Sequence, residues 1–77
     1  MNQAILFNDD VSYHQGELRF TAMASGQLII CKVITKLPQQ QALEHFAQHQ
    51  FDYEMQAEQL IEDEMISSEG EVILDFL

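Results

Sequence analysis

The chain has 77 residues, 47% of them apolar and 21% charged, a balance that suits one small globular domain and leaves no length for a second. Its 13 acids and 3 bases give a formal charge of −10, all of it in one half: residues 1–38 hold Asp9, Asp10 and Glu17 against Arg19, Lys32 and Lys36, while residues 39–77 hold ten acids and no base. So few cations argue against nucleic-acid binding through a basic surface, because phosphate contacts need clustered Lys and Arg.

Gly16 and Gly26 separate three segments, VSYH, ELRFTAMA and QLIICKVIT, rich in the β-branched and aromatic residues that fit a pleated, half-buried surface. They predict a three-stranded antiparallel meander. With Ser25 and Gly26 as a two-residue turn, Ala24 lies opposite Gln27 and the register of every other pair follows. One face is then Leu18, Phe20, Ala22 and Ala24 against Val33, Cys31, Ile29 and Gln27, a good core face. The other carries Glu17, Arg19, Thr21 and Met23 against Ile34, Lys32, Ile30 and Leu28, so it is not a fully polar solvent face. Arg19 and Lys32 face each other there, which is unfavourable unless Glu17 or an acid from elsewhere sits beside them.

After Lys36 the period becomes helical, with Thr35 as the expected N-cap and Pro38 in the first turn. Leu43, Phe46 and Ala47 share one face of this first helix. A second helix is expected from Asp52, an N-cap residue type, with Tyr53, Ala57, Leu60, Ile61 and Met65 as its buried stripe and residues 67–70 ending it. The closing EVILDF is apolar on both faces and is expected to join the sheet. Residues 1–77 are therefore expected to form a single α+β domain: a small antiparallel sheet, the meander plus a C-terminal strand, with two helices packed on one face.

Chemistry-bearing motifs are few. There is no glycine-rich phosphate loop, CxxC, HExxH or nucleophile elbow, so no catalytic residue and no cofactor are expected. Cys31, the only thiol, falls on the core face and reads as a small hydrophobe without a disulfide partner. His45 and His49 are spaced to share a metal, with Glu44 or Asp52 as a possible further ligand, whereas zinc sites usually join three or four ligands. His14 reads as a hairpin residue. Glu54, Glu58 and Glu62 repeat every four residues with no cation on their helix, each like-charge pair costing about 0.2 to 0.5 kcal/mol. They read as a solvated face or as a docking surface for a basic protein.

The strings ILFNDDVSY, FTAMASGQLIICKV, FDYEMQAEQLIEDEM and SEGEVIL together resemble the small uncharacterised bacterial proteins of domain of unknown function family 1488. The likeness spans nearly the whole chain and rests on the Gly26-centred hairpin and the acidic helix followed by a short strand. It implies a compact α+β domain of a proteobacterial cytosol and supplies no activity, cofactor or catalytic residue.

The opening MNQAILFNDD has no basic region or apolar run of signal-peptide length, and no segment approaches the roughly 18 apolar residues of a membrane span, so a cytosolic protein is expected. A domain this small buries only about 63% of its unfolded surface, and with no internal disulfide it gains from association. The expected function is a non-enzymatic interaction or regulatory module that forms a homodimer through Met23, Leu28, Ile30 and Ile34, with Glu54, Glu58 and Glu62 open to a basic partner. The alternative is a small metal- or ligand-binding protein using His45, His49 and nearby carboxylates.

Overall fold

The computed structural model describes residues 5–77. The expectation about a signal peptide falls partly outside them, on residues 1–4. The elements run β1 (Ile5–Phe7), β2 (Ser12–His14), β3 (Glu17–Ala24), β4 (Gln27–Ile34), α1 (Gln39–Glu62) and β5 (Glu71–Leu74). The architecture is α+β. The sheet order is β1-β3-β4-β5, with β2 also paired to β3.

The meander follows from its turns. Gln15 and Gly16 (φ 47° and 83°) join β2 to β3, and Ser25 and Gly26 (φ 54° and 76°) join β3 to β4. Positive φ at both central residues is what a two-residue type I′ hairpin requires. The second turn sets Ala24 opposite Gln27, and the pairing continues to Glu17 opposite Ile34, the register expected from the sequence. Strand β1, absent from the sequence reading, shares an edge of β3 with β2. Phe7 pairs with Ala22 and Ser12 with Arg19, so residues 8–11 stand opposite Phe20 and Thr21 alone and bulge outward. Asp10 secures the break: its carboxylate accepts the Thr21 amide (3.0 Å) and hydroxyl (2.6 Å), while the Asn8 amide donates to the Thr21 carbonyl (2.9 Å).

Two expectations are corrected, and one entails the other. Two helices were expected; the chain forms a single helical element from Gln39 to Glu62, kinked at His49 (φ −117°, ψ 16°). Asp52 lies inside it rather than capping a second helix, since no glycine or proline interrupts this stretch. One helix carries the chain back along the sheet once, so β5 enters parallel to β4, with Cys31 opposite Val72 and Val33 opposite Leu74. The sheet is therefore mixed, not antiparallel throughout. Two antiparallel helices would have returned the chain to the other end.

The helix ends also differ from expectation. Pro38 occupies the N-cap position without a side-chain cap, and the Thr35 hydroxyl instead accepts the Leu37 amide (3.1 Å). At the other end Met65 N–H donates to Leu60 C=O (2.9 Å) and Glu64 N–H to Ile61 C=O (3.1 Å), the paired bonds of a Schellman motif. Helix α1 thus stops at Glu62, short of residues 67–70, and leaves Met65 exposed.

The core lies between α1 and the inner sheet face. Leu18, Phe20, Ala22, Ala24, Ile29, Cys31, Val33, Val72 and Leu74 meet Ala42, Phe46, Tyr53, Ala57 and Ile61. Phe46 packs between Phe20 (centroids 5.1 Å apart) and Tyr53 (5.6 Å, stacked), so the aromatic contacts bridge sheet and helix. Of the expected helical stripe, Phe46, Tyr53, Ala57 and Ile61 are buried, Leu43 and Leu60 half-buried and Ala47 exposed.

Glu64 holds the left-handed position of the Schellman motif (φ 59°), where glycine is free of Cβ strain, and it adds an acid at the negative end of the helix. Glu64→Gly is expected to stabilise the fold by about 1 kcal/mol, read as a raised urea midpoint at unchanged m-value. An unchanged midpoint would show that no strain resides there.

Candidate functional site

Alternation turns Glu17, Arg19, Thr21 and Met23 of β3 and Leu28, Ile30, Lys32 and Ile34 of β4 away from the helix. Leu6 joins them beside Met23, while Glu71 and Ile73 join beside Ile30 and Lys32. No element among the described residues covers this face: Leu6 is 67% exposed, Leu28 53%, Ile34 54% and Ile73 57%. Met23 and Ile30 are half-buried by their neighbours. All four partner-binding candidates from the sheet therefore lie on one surface.

The opposed cations Arg19 and Lys32 are each relieved by an acid. Arg19 Nη2 lies 2.8 Å from Glu17 and Lys32 Nζ 3.0 Å from Glu71. The Arg19 hydrogen bond is the main reason the Glu17 carboxyl sits below the usual carboxylate range, against a desolvation that would raise it. Glu71 is the acid from elsewhere, brought in by the parallel strand. The face carries two cations and two acids, so its charges cancel.

The acidic helix manages its charge without cations. Gln40, Gln50 and Gln59 each donate a side-chain N–H to the acid four residues on: Glu44 (3.4 Å), Glu54 (3.2 Å) and Asp63 (3.0 Å). Glu54 is half-buried, while Glu58 and Glu62 are exposed. Glutamines at this spacing are the signal available in the sequence, donors that carry no charge.

His45 and His49 do come together, with ring centroids 4.5 Å apart. The neighbours that join them are not a ligand set. His45 Nε2 lies 2.7 Å from the Tyr53 hydroxyl, and its ring stacks on Phe76 (4.4 Å). His49 Nδ1 lies 3.9 Å from Asp52. Among the described residues no three His, Cys, Asp or Glu side chains converge as a metal centre needs. The fully buried Tyr53 oxygen accepts the Leu77 amide (3.0 Å) and can give its proton to a neutral His45 Nε2. Burial lowers the His45 pKa, with help from the adjacent His49, and burial raises that of Tyr53. Cys31 is shut in the core and its thiol pushed up to about 12, mainly by desolvation, which removes the thiolate that nucleophilic chemistry needs.

Among the described residues, a mixed five-stranded sheet with one helix across one face and an open, charge-balanced second face defines a small α+β domain class. Within that class the chain belongs to the DUF1488 family, proteins of unknown function, whose family model matches residues 5–74. It is similar to the crystal structure of a DUF1488 protein of unknown function from Shewanella loihica PV-4, at 32% identity over 96% of this chain and 94% of that one, with a TM-score of 0.84. A comparison with functionally described proteins finds no match. The resemblance read from the strings is thereby shown.

The desolvation of His45, with His49 beside it, gives stability a pH dependence. The folded state holds the His45 proton less tightly than an unfolded chain, whose imidazole titrates near 6.5, so this contribution is complete above 6.5 and lost as pH falls through the lower folded value. The unfolding free energy is expected to decline between pH 7.5 and 5.5, less steeply in His45→Gln. Equal slopes in denaturant titrations would rule out His45 as the source.

Proposed function

We propose that the chain is a non-enzymatic interaction module that acts as a homodimer, two copies packing through the open faces of their sheets. The observation that carries this is the exposed apolar set Leu6, Leu28, Ile34 and Ile73 around the half-buried Met23 and Ile30. An exposed apolar set of this kind, interrupted only by balanced ion pairs, is a mark of association on a small domain. A second copy is favoured over another occupant by charge. Each molecule carries −10, so most approaches of two copies bring acid onto acid, whereas this face presents the balanced pairs Arg19–Glu17 and Lys32–Glu71. A two-fold axis placed so that one copy's cation meets the other's acid repeats that contact twice over.

In such a dimer the two helices point outward, and Glu58 and Glu62, with Glu54 beside them, form the surface open to a basic partner. A polylysine peptide is the simplest probe of that part, and its affinity should fall steeply with salt. We assign the module to the cytosol, since its single cysteine is a free thiol. No helix among the described residues is long and apolar enough to cross a membrane.

Sedimentation equilibrium is expected to give twice the 8.9 kDa chain mass at micromolar concentration. Leu28→Lys is expected to give the monomer with its melting temperature measured at high dilution unchanged. A chain mass of 8.9 kDa at every concentration would sink the pairing.

A further inference from the structure

We propose that the cleft where the chain leaves β4 is a binding site for a small apolar carboxylate. The cleft has a volume of about 390 Å³, within the range of ligand pockets, and is lined by Ile34, Thr35, Lys36, Leu37 and Phe76. Its two walls come from segments far apart in sequence, and each is held in place. On one side the Thr35 amide donates to Gly16 C=O (2.8 Å), the Leu37 amide to the Thr35 hydroxyl (3.1 Å) and the Tyr13 hydroxyl to Leu37 C=O (3.0 Å). On the other, Phe76 stacks on His45, Gln56 grips the backbone of Asp75 on both its N–H and C=O, and the Leu77 amide donates to Tyr53. A ligand entering here has little protein ordering to oppose it.

Two polar observations select the ligand. Arg19 and Lys32 are both spent in ion pairs, while Lys36, in the cleft lining, makes none among the described residues. Thr35 is only 7% exposed, and its hydroxyl accepts the Leu37 amide but has no acceptor for its own proton among the described residues. A buried hydroxyl proton and an unpaired ammonium beside apolar walls suit one carboxylate with a hydrocarbon or aryl body. The carboxylate takes the Thr35 proton as a hydrogen bond and pairs with Lys36, and the body lies between Ile34, Leu37 and Phe76.

Octanoate, octanol and octylammonium, titrated separately into the full chain and followed by amide NMR shifts, test the assignment. Octanoate is expected to shift Thr35, Lys36, Leu37 and Phe76 saturably and to bind about 1.5- to fivefold more tightly than octanol, the range of one exposed ion pair. Lys36→Gln is expected to erase that preference and keep octanol binding, and Phe76→Ala to weaken both ligands. Octylammonium binding as well as octanoate, or an octanoate preference that survives Lys36→Gln, would overturn the site. So would an octanoate response that disappears as protein concentration rises, which would mean that a second chain fills the cleft.

Discussion

A sheet has two faces, and the described residues supply one helix to cover them. Helix α1 crosses once, buries the face built from Leu18, Phe20, Ile29, Cys31, Val33 and Val72, and leaves the other in water. The parallel entry of β5 follows from the same single crossing, and it carries Glu71 to the side of Lys32. A helix pair in place of α1 would have reversed β5 and taken that acid elsewhere. The electrostatic repair of the open face is thus a consequence of the crossover.

Charge is sorted by layer. Arg19 and Lys32 lie on the sheet face away from the helix, Lys36 lies just past the end of β4, and none of the described helix carries a cation. The helical layer copes through amides. Glutamine at four-residue spacing gives Glu44, Glu54 and Asp63 a donor without a positive charge, which keeps the local field negative while removing part of the cost of like-charge neighbours. A lysine in the same places would satisfy the carboxylates equally and abolish the field. The molecule is consequently an electrical dipole, neutral on its sheet and anionic on its helix.

Much of the fold could be read from residue order. The type I′ turn at Ser25 and Gly26 fixes a register, and alternation then assigns both faces without tertiary information. The missing pieces had non-local causes. Strand β1 is three residues long and exists because Asp10 and Asn8 satisfy Thr21 across the bulge, a pairing invisible to periodicity. The expected break at Asp52 arises because an N-cap residue type inside a helix looks the same as one at its start, and the contacts of Tyr53 with Phe46 and His45 across the kink join the two halves. The end of α1 was placed too late because Glu64 takes a backbone conformation that sequence readers assign to glycine. Of the candidate site, the open face was visible as a second apolar stripe. The Tyr53 link to His45 and Leu77 was hidden because it spans the kink and the segment after β5.

The segment after β5 is held by polar side-chain atoms of α1. Tyr53 is fully buried, yet its hydroxyl reaches both His45 and the Leu77 amide, so one side chain of the core fixes the segment after β5 against the helix. Gln56, one turn further along, grips Asp75 as a neighbouring strand would. The sheet proper stops at Leu74, and these side chains extend its order past that point without another strand. Phe76 is thereby held on His45 instead of trailing in solvent, which gives the cleft beside Thr35 its second wall. The open face and the cleft arise by opposite routes. The first is what one helix cannot reach, and the second is what that helix, through Tyr53 and Gln56, holds in place.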